Sequence, residues 1–278
     1  MSRKKNLFGL SILVVLALLL AACGGGNADN AGGNTGGNAA GNSGSSAASG
    51  DQPAGDAPAD EVGTMPPIAA DAQLDPASSS DAAVLAASEY LYDQLFRLEG
   101  GEVVGELAFD WSVSDDGLTY EVRLRANAVF SDGMPVSTDV IVANFNRWFD
   151  PANPLHGADS SVYAAWLEYF LGFRDQFDAD EEPISLFDGI EKVDDLNFLL
   201  HLNQPIDNFV EILAMPQFSL LHPDILSAVG ADYGTQGGLV VGSGPYVVGS
   251  WDAEGLLLVP SASYWGDAAS GEVLFPAK

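Results

Sequence analysis

Basic residues and cysteine are both scarce in this sequence. Only 10 Lys and Arg stand against 39 Asp and Glu in 278 residues, so the formal net charge at pH 7 is −29. A surface this acidic repels phosphate backbones and anionic headgroups, which argues against nucleic-acid binding and against membrane attachment by charge. The single cysteine excludes a disulfide within the chain. Three scattered histidines show no metal-ligand spacing, so we expect neither a metal nor a cofactor.

Aromatic residues are absent between Phe8 and Tyr90. Most of that interval is rich in Gly, Asn, Ser and Ala, and such a stretch cannot bury enough apolar surface to offset its chain entropy. We predict that residues 23–63 form a flexible tether in front of a globular body at residues 64–278.

The first 22 residues have the pattern of an export signal. Basic residues 3–5 precede an apolar run over residues 7–22, which is short for a membrane span. The end of this run together with the next residue, Leu20–Cys23, resembles the bacterial lipobox. This resemblance implies that Cys23 carries a lipid and begins the mature protein. The alternative is an ordinary secretory signal with an incidental Cys.

The clearest local pattern in the body is a β-hairpin. Phe109, Trp111 and Val113 alternate with polar residues, and a second alternating run follows over residues 118–125. An Asp-Gly turn within residues 114–117 joins the two runs. Period-two alternation predicts strands with one buried and one solvated face.

Helices and further strands are predicted around this hairpin. We expect Ser80 to cap a helix reaching Phe96, and Ser137 to cap a helix that Pro151 ends. Further elements are predicted from weaker patterns, namely helices over 163–173 and 206–215 and strands near 189–202, 246–251 and 256–259. This mixture without strict βαβ alternation predicts an α/β or α+β fold.

Six segments in fixed order resemble the bacterial extracellular solute-binding proteins of family 5, the oligopeptide, dipeptide and nickel receptors of ABC importers. Two of them in tandem are the most specific, namely Trp111–Tyr120 and Phe130–Pro135 with Phe145-Asn146-Arg147. The others are Leu74–Ala77, Leu91–Leu98, Gly189–Asp195, and Gly242–Tyr246 with Tyr264–Gly266.

The resemblance implies an α/β fold of the periplasmic-binding-protein type (type II). Family members close a solute between two lobes, and the sequence here resembles the first lobe only, truncated before the second. We therefore expect an open sheet edge, a loosely docked or frayed segment Gly271–Lys278, and poor high-affinity binding by the isolated chain.

The resemblance also implies that Ser78, Ser79 and Ser80 border the ligand cleft, although helix capping explains these serines equally well. Turn chemistry is the expected role of Asp115-Asp116 and Asp194-Asp195, and a solvated charge run explains the acidic residues at 178–182. We expect His201 to be an exposed strand residue. The five tryptophans are predicted to be mostly core.

The predicted function is that of a monomeric substrate-binding lipoprotein of an ABC importer. It would be anchored by lipid to the outer face of the cytoplasmic membrane, would capture peptide or another small solute, and would deliver it to permease subunits. A lipid-anchored surface interaction module without transport activity is the alternative. We expect no enzymatic activity, since the sequence has no Gly-x-Ser-x-Gly or His-Glu-x-x-His motif and no usable Cys nucleophile.

Overall fold

The computed structural model describes residues 65–278. Cys23, the signal and the tether therefore lie outside the described residues. Helices and strands are mixed along the described part, as the sequence predicted. The helices are α1 (Ala82–Leu91), α2 (Thr138–Phe149), α3 (Ala164–Phe170), α4 (Phe209–Ile212) and α5 (Pro223–Val229). The strands are β1 (Phe96–Glu99), β2 (Glu102–Gly105), β3 (Ala108–Val113), β4 (Thr119–Leu124), β5 (Phe187–Lys192), β6 (Asn197–Leu202), β7 (Tyr246–Asp252), β8 (Gly255–Pro260) and β9 (Val273–Pro276). None of the helices in this part of the chain is both long and apolar enough to cross a bilayer.

The strands form three antiparallel sheets. β1 and β2 make a two-stranded ribbon, the order β3-β4-β6-β5 makes a four-stranded sheet, and β7-β8-β9 makes a three-stranded sheet. Two clusters of buried side chains hold these sheets. The larger one lies between the four-stranded sheet, α2 and α3, and the smaller one joins α1 to the three-stranded sheet.

The predicted hairpin is present as β3 and β4, but its burial pattern is not the one we expected. Gly117 occupies the turn at φ +72°, a backbone conformation that glycine adopts without strain. Val122 and Leu124 of β4 are buried, whereas Phe109 and Val113 of β3 are 56% and 52% exposed. The expectation for β3 was wrong because this strand is at the edge of the sheet and its register shifts between residues 108 and 110.

Helix α2 begins and ends where its sequence signals predict, although the Ser137 side chain makes no capping hydrogen bond. Ser137 occupies the N-cap position, Asp139 lies in the first turn where the helix dipole favours a negative charge, and Arg147 lies in the last turn. One face of the helix is buried among aromatic rings, including Phe187 of β5 at 5.5 Å from Phe145. This burial fixes the direction in which the Arg147 side chain leaves the last turn of the helix.

Helix α1 ends at Leu91 and does not reach Phe96 as predicted, because Phe96 begins β1. Two further helices are also shorter than predicted. The helix expected over 163–173 spans only Ala164–Phe170, because Leu171 adopts φ +65° and ends it. The helix expected over 206–215 is reduced to the four residues of α4. In both places the apolar residues are buried in a packed cluster, so their helical spacing reflects burial more than helix length.

The segment at 271–278 is ordered, which corrects the expectation that it is frayed. Strand β9 pairs with β8, and Phe275 and Val273 are buried. The outer edge of β9 is also occupied, since Ile68 forms a parallel bridge to Ala277, with its backbone N–H 2.8 Å from the oxygen of Pro276. The apolar side chains of Val273 and Phe275 therefore anchor a paired strand in a segment that we expected to be loosely docked.

Candidate functional site

An open cavity of about 540 Å³ lies between four segments of the chain. They are the loop at 73–78, the last turn of α2, the loop at 154–163, and the segment at 226–233 that includes the end of α5. The loop at 73–78 precedes α1, so the cavity adjoins the segment in which the family resemblance places ligand contacts.

A buried ion pair forms the floor of this cavity. The guanidinium of Arg147 donates to both carboxylate oxygens of Asp75, with Nη1 at 3.2 Å from Oδ1 and Nη2 in close contact with Oδ2. Their side chains are only 5% and 7% exposed. Burial alone would lower the pKa of Arg147, but the Asp75 carboxylate outweighs it and the pKa is raised. The two charges therefore neutralise each other inside the wall.

Arg147 also positions the loop that forms the cavity rim. Its Nε donates to the backbone oxygen of Leu155 at 3.2 Å, and its guanidinium lies 5.5 Å from the ring centroid of Tyr163. The Tyr163 hydroxyl in turn donates to the backbone oxygen of His156 at 2.8 Å. One side chain of α2 thus fixes both ends of the rim loop.

His156 is a neutral structural residue of this rim. Its Nδ1 lies 2.6 Å from the backbone oxygen of Arg147, and because that oxygen only accepts, Nδ1 must carry the proton. Burial lowers the pKa of His156, so the ring is neutral near pH 7 and Nε2 accepts from the Ser160 hydroxyl at 2.8 Å. His156 therefore adds no positive charge to the cavity.

Asp159 places a negative charge at the exposed edge of the same loop. Its Oδ1 accepts from the hydroxyl and the backbone N–H of Ser161 at 2.6 and 3.0 Å, and these bonds, the hydroxyl first, lower the pKa of the carboxyl. With Arg147 neutralised and His156 neutral, the wall presents acceptors and apolar surface to a solute.

The opposite side of the cavity is held by two buried tyrosines. Tyr92 donates to the backbone oxygen of Leu74 at 2.7 Å, and Tyr233 donates to the Tyr92 hydroxyl at 3.1 Å. Burial raises the pKa of both hydroxyls, so both remain protonated donors. Gly234 completes the contact, because at φ +68° a Cβ there would lie 2.8 Å from the nitrogen of Leu74.

The three predicted serines differ in position. Ser78 lines the cavity, and its hydroxyl donates to the backbone oxygen of Asp75 at 3.3 Å. Ser79 accepts from the N–H of Asp81 at 3.1 Å, and Ser80 is exposed. Neither of these two lines the cavity. The N-cap of α1 is Asp81 and not Ser80, since its carboxylate accepts from two backbone N–H groups of the first turn.

The acidic pairs perform the turn chemistry that we predicted. Asp116 accepts from the N–H of Leu118, and Asp194 accepts from the N–H groups of Leu196 and Asn197. Across residues 65–278, no three His, Cys, Asp or Glu side chains come together as metal ligands. His201 is partly exposed on its strand. Among the tryptophans, those at 148 and 166 are buried, and the other three are partly exposed.

Sequence reasoning missed most residues of the wall, notably Arg147, His156, Asp159 and Tyr233. One signal was available, because Asp75 and Arg147 lie in two of the segments that carry the family resemblance, 72 positions apart. Their mutual contact was not visible in either segment alone.

A second cavity, of about 640 Å³, lies between the starts of α2 and α5. Two of its three acidic residues, Asp139 and Asp195, form ion pairs with the ammonium of Lys192, at 2.8 and 2.9 Å. The first cavity is the better candidate because it contains Ser78 and is built on buried polar contacts.

The described residues thus form a mixed α/β fold with an open, concave surface in which the buried guanidinium of Arg147 is neutralised by Asp75. The chain belongs to the bacterial extracellular solute-binding proteins, family 5, whose model matches residues 102–275. This is a family of binding proteins and not of enzymes.

Known proteins of this kind resemble the chain over part of their length. The "Glutathione-binding protein GsiB" of Escherichia coli O1:K1 / APEC is 30% identical over 197 residues, which are 69% of this chain and 33% of that protein. The chain thus spans about a third of the length of the curated relatives it matches.

Solved structures also match this chain over only part of their own length. The periplasmic binding protein DppA from Helicobacter pylori, in complex with the peptide STSA, has a TM-score of 0.62 and 25% identity. The match covers 76% of this chain and 41% of that one. HbpA2 from Haemophilus parasuis has a TM-score of 0.63 and 27% identity, with coverage of 76% and 42%.

Proposed function

We propose that the cavity beside Ser78 is one wall of the solute-binding cleft of an ABC-importer receptor, and that the solute is a peptide or a similar small molecule. The observation that carries this proposal is the buried Asp75–Arg147 pair, which holds the Ser78 loop and the rim loop at 154–163 together. Such rigid, partly apolar concave surfaces are typical of small-molecule sites. The binding relatives named above support the proposal.

The charge of the wall predicts which part of a peptide it contacts. Its one guanidinium is neutralised by Asp75, His156 is neutral, and Asp159 is ionised at the rim. An ammonium group or an uncharged side chain is therefore compatible with this wall, whereas a peptide carboxylate needs a cationic partner elsewhere. One wall alone leaves much of the solute solvated, so we expect only weak binding by the chain itself.

Nuclear magnetic resonance titration tests this function. We would titrate isotope-labelled protein with a mixed tripeptide library at millimolar concentration and follow the backbone amides. We expect chemical-shift changes at residues 75–78 and 154–159. These changes should disappear in Ser78→Trp, whose indole fills the cavity. They should remain in Ser112→Trp, at an exposed position of β3. Shifts that are spread over the whole surface or that survive in Ser78→Trp would contradict the proposal.

We further propose that residues 1–22 are a lipoprotein signal, that Cys23 is lipidated, and that residues 23–63 are a tether between membrane and body. The sequence Leu20–Cys23 and the absence of any other Cys support this. More than one acyl chain anchors a protein stably, which an acidic surface cannot do by charge. We propose a periplasmic or cell-surface location and a monomeric state.

Membrane fractionation and mass spectrometry of the expressed chain test the anchor. Cys23→Ser should move the protein from the membrane fraction to the soluble fraction, while Asn30→Ser in the proposed tether should not. The alternative role, a lipid-anchored interaction module, predicts membrane retention together with no peptide-dependent shifts in the titration above.

A further inference from the structure

Two carboxyl groups lie together at the base of the β1–β2 ribbon, and neither lines the cavity. Asp93 follows α1 and is 1% exposed, and Glu106 lies between β2 and β3. The Oδ2 atom of Asp93 accepts from the indole Nε1 of Trp265 at 2.8 Å. Oε2 of Glu106 accepts from the backbone N–H of Gln94, the residue next to Asp93, at 2.9 Å.

Neither carboxylate has a cationic partner. Among the ion pairs of residues 65–278 that are closer than 4.0 Å, none includes Asp93 or Glu106. Two arginines lie nearby but are directed elsewhere. Arg125 donates to the backbone oxygens at 105 and 106, and Arg97 pairs with Glu99 at 2.9 Å. Placing the buried Asp93 carboxylate beside the half-buried Glu106 carboxylate without a counter-ion is costly unless a proton neutralises one of them.

The remaining groups that face the pair do not supply that charge. Ser243 is a neutral hydrogen-bonding partner of Asp93, Tyr264 is a neutral phenol, and Asp267 is a further acid near Tyr264. Burial first, and then the neighbouring Glu106, raises the pKa of Asp93 to about 8, against the opposing effects of the hydrogen bonds with Trp265 and Ser243, which favour the ionised carboxylate. Burial likewise raises the pKa of Glu106 to about 7, against the opposing effects of the Gln94 N–H and the two arginines.

Apart from the indole bond, the turn is held by packing of Trp265, which lies against the larger buried cluster with its ring 6.0 Å from the Arg125 guanidinium, and by two hydrogen bonds to backbone oxygens. Asn127 donates to the backbone oxygen of Trp265 at 3.3 Å, and Ser263 donates to the backbone oxygen of Ser131 at 3.0 Å. Both bonds are exposed and uncharged, so they do not change with pH in the neutral range. The bond from the indole to Asp93 is therefore the polar contact of the turn whose strength depends on the protonation of the carboxyl pair.

We propose that Asp93 and Glu106 form a proton-controlled latch that holds the Tyr264–Gly266 turn against the base of the β1–β2 ribbon. With a proton on the pair, Asp93 binds the Trp265 indole without facing a second negative charge. When both carboxyls are ionised, their repulsion and their need for water favour movement of the turn, because that movement lets water reach them. Solutions around neutral pH therefore contain a mixture of held and loosened turns.

The indole N–H of Trp265 reports directly on this latch. It can be followed by two-dimensional nuclear magnetic resonance between pH 5.5 and 9.5 and assigned with Trp265→Phe. We expect one transition with a midpoint between about pH 7 and about pH 8, and faster exchange of the indole proton with water above it. A Trp265 signal that does not change over this range overturns the proposal.

Variants of the two carboxyls separate the latch from a purely structural contact. Asp93→Asn keeps an acceptor for the indole but cannot ionise, so the transition should disappear. Glu106→Gln removes the like charge, so the midpoint should move to lower pH. Asp188→Asn and Glu102→Gln, at exposed strand positions, are the matched controls and should leave the midpoint unchanged.

The Glu106→Gln result decides the question even if Asp93→Asn does not fold. An unchanged midpoint in Glu106→Gln, or a transition that persists in folded Asp93→Asn, means that the pair does not control the turn. A midpoint that moves equally in Glu102→Gln leads to the same conclusion, because the shift would then report net charge alone.

Discussion

Arg147→Met is the most informative perturbation of the proposed binding wall. The substitution removes the guanidinium and leaves the Asp75 carboxylate buried, with 7% of its side chain exposed and no partner of opposite charge. It also removes the hydrogen bond from Nε to the oxygen of Leu155 and the contact with the Tyr163 ring. Methionine keeps most of the apolar volume, so the loss is chiefly electrostatic.

The expected cost follows from the burial of the pair. Removing one partner of a buried ion pair costs about 3–5 kcal/mol, because the remaining charge is uncompensated. We therefore expect the free energy of unfolding to fall by about 4 kcal/mol. At a denaturant dependence of about 2 kcal/mol per molar urea, the unfolding midpoint should fall by about 2 M.

Urea unfolding followed by circular dichroism measures this cost, and a double-mutant cycle assigns it to the pair. The double variant Asp75→Asn/Arg147→Met should lose less free energy of unfolding than the sum of the losses in the two single variants, because neither charge is then left buried alone. Arg174→Met is the matched control, because Arg174 pairs with Asp150 at 3.3 Å with its side chain 40% exposed, and such pairs contribute about 0.2–1 kcal/mol.

Two results would refute the dependence of Arg147 on Asp75. Either Arg147→Met lowers the free energy of unfolding no more than Arg174→Met does, or the losses of Arg147→Met and Asp75→Asn add up in the double variant. Either result would mean that Arg147 and Asp75 do not depend on each other for stability. The proposed coupling of the Ser78 loop to the rim loop would then lose its physical basis.

Three further predictions concern the rest of the described body. Phe275→Ala should cost about 3–5 kcal/mol in urea unfolding, whereas Leu274→Ala on the exposed face should cost far less, and equal small costs would indicate a frayed strand. Gly234→Ala should cost about 1–3 kcal/mol because of its positive φ and its approach to Leu74, and a neutral result would contradict that contact. The Asp93–Glu106 carboxyl pair binds more protons folded than unfolded between about pH 4 and about pH 8, so the free energy of unfolding should fall as pH rises through this range. Asp93→Asn should flatten this dependence, and an unchanged slope would exclude the pair as its cause.

Local chemistry made several elements predictable. The Asp-Gly turn of the hairpin and the Asx-type turn at Asp194 both depend on residues within a few positions of one another. The hydrogen bonds and backbone conformations that stabilise these turns involve only neighbouring residues, so the sequence pattern was sufficient to locate them.

Burial and strand order were less predictable. Phe109 alternates as a core residue but is exposed, because β3 is an edge strand with a register shift. Ser80 has the residue type of an N-cap, yet Asp81 takes that position. These outcomes depend on which neighbouring elements cover a face, and period-two or capping patterns do not contain that information.

The sequence by itself determined the family, the acidic character and the local turns, because these follow from residue identity and short spacing. Only the tertiary structure decided that Asp75 meets Arg147, that Asp93 meets Trp265, and that residues 273–276 are a buried strand. Each of these contacts joins residues that are distant along the chain or places a strand in a sheet. Their stability comes from desolvation and charge compensation that arise only when the segments pack together.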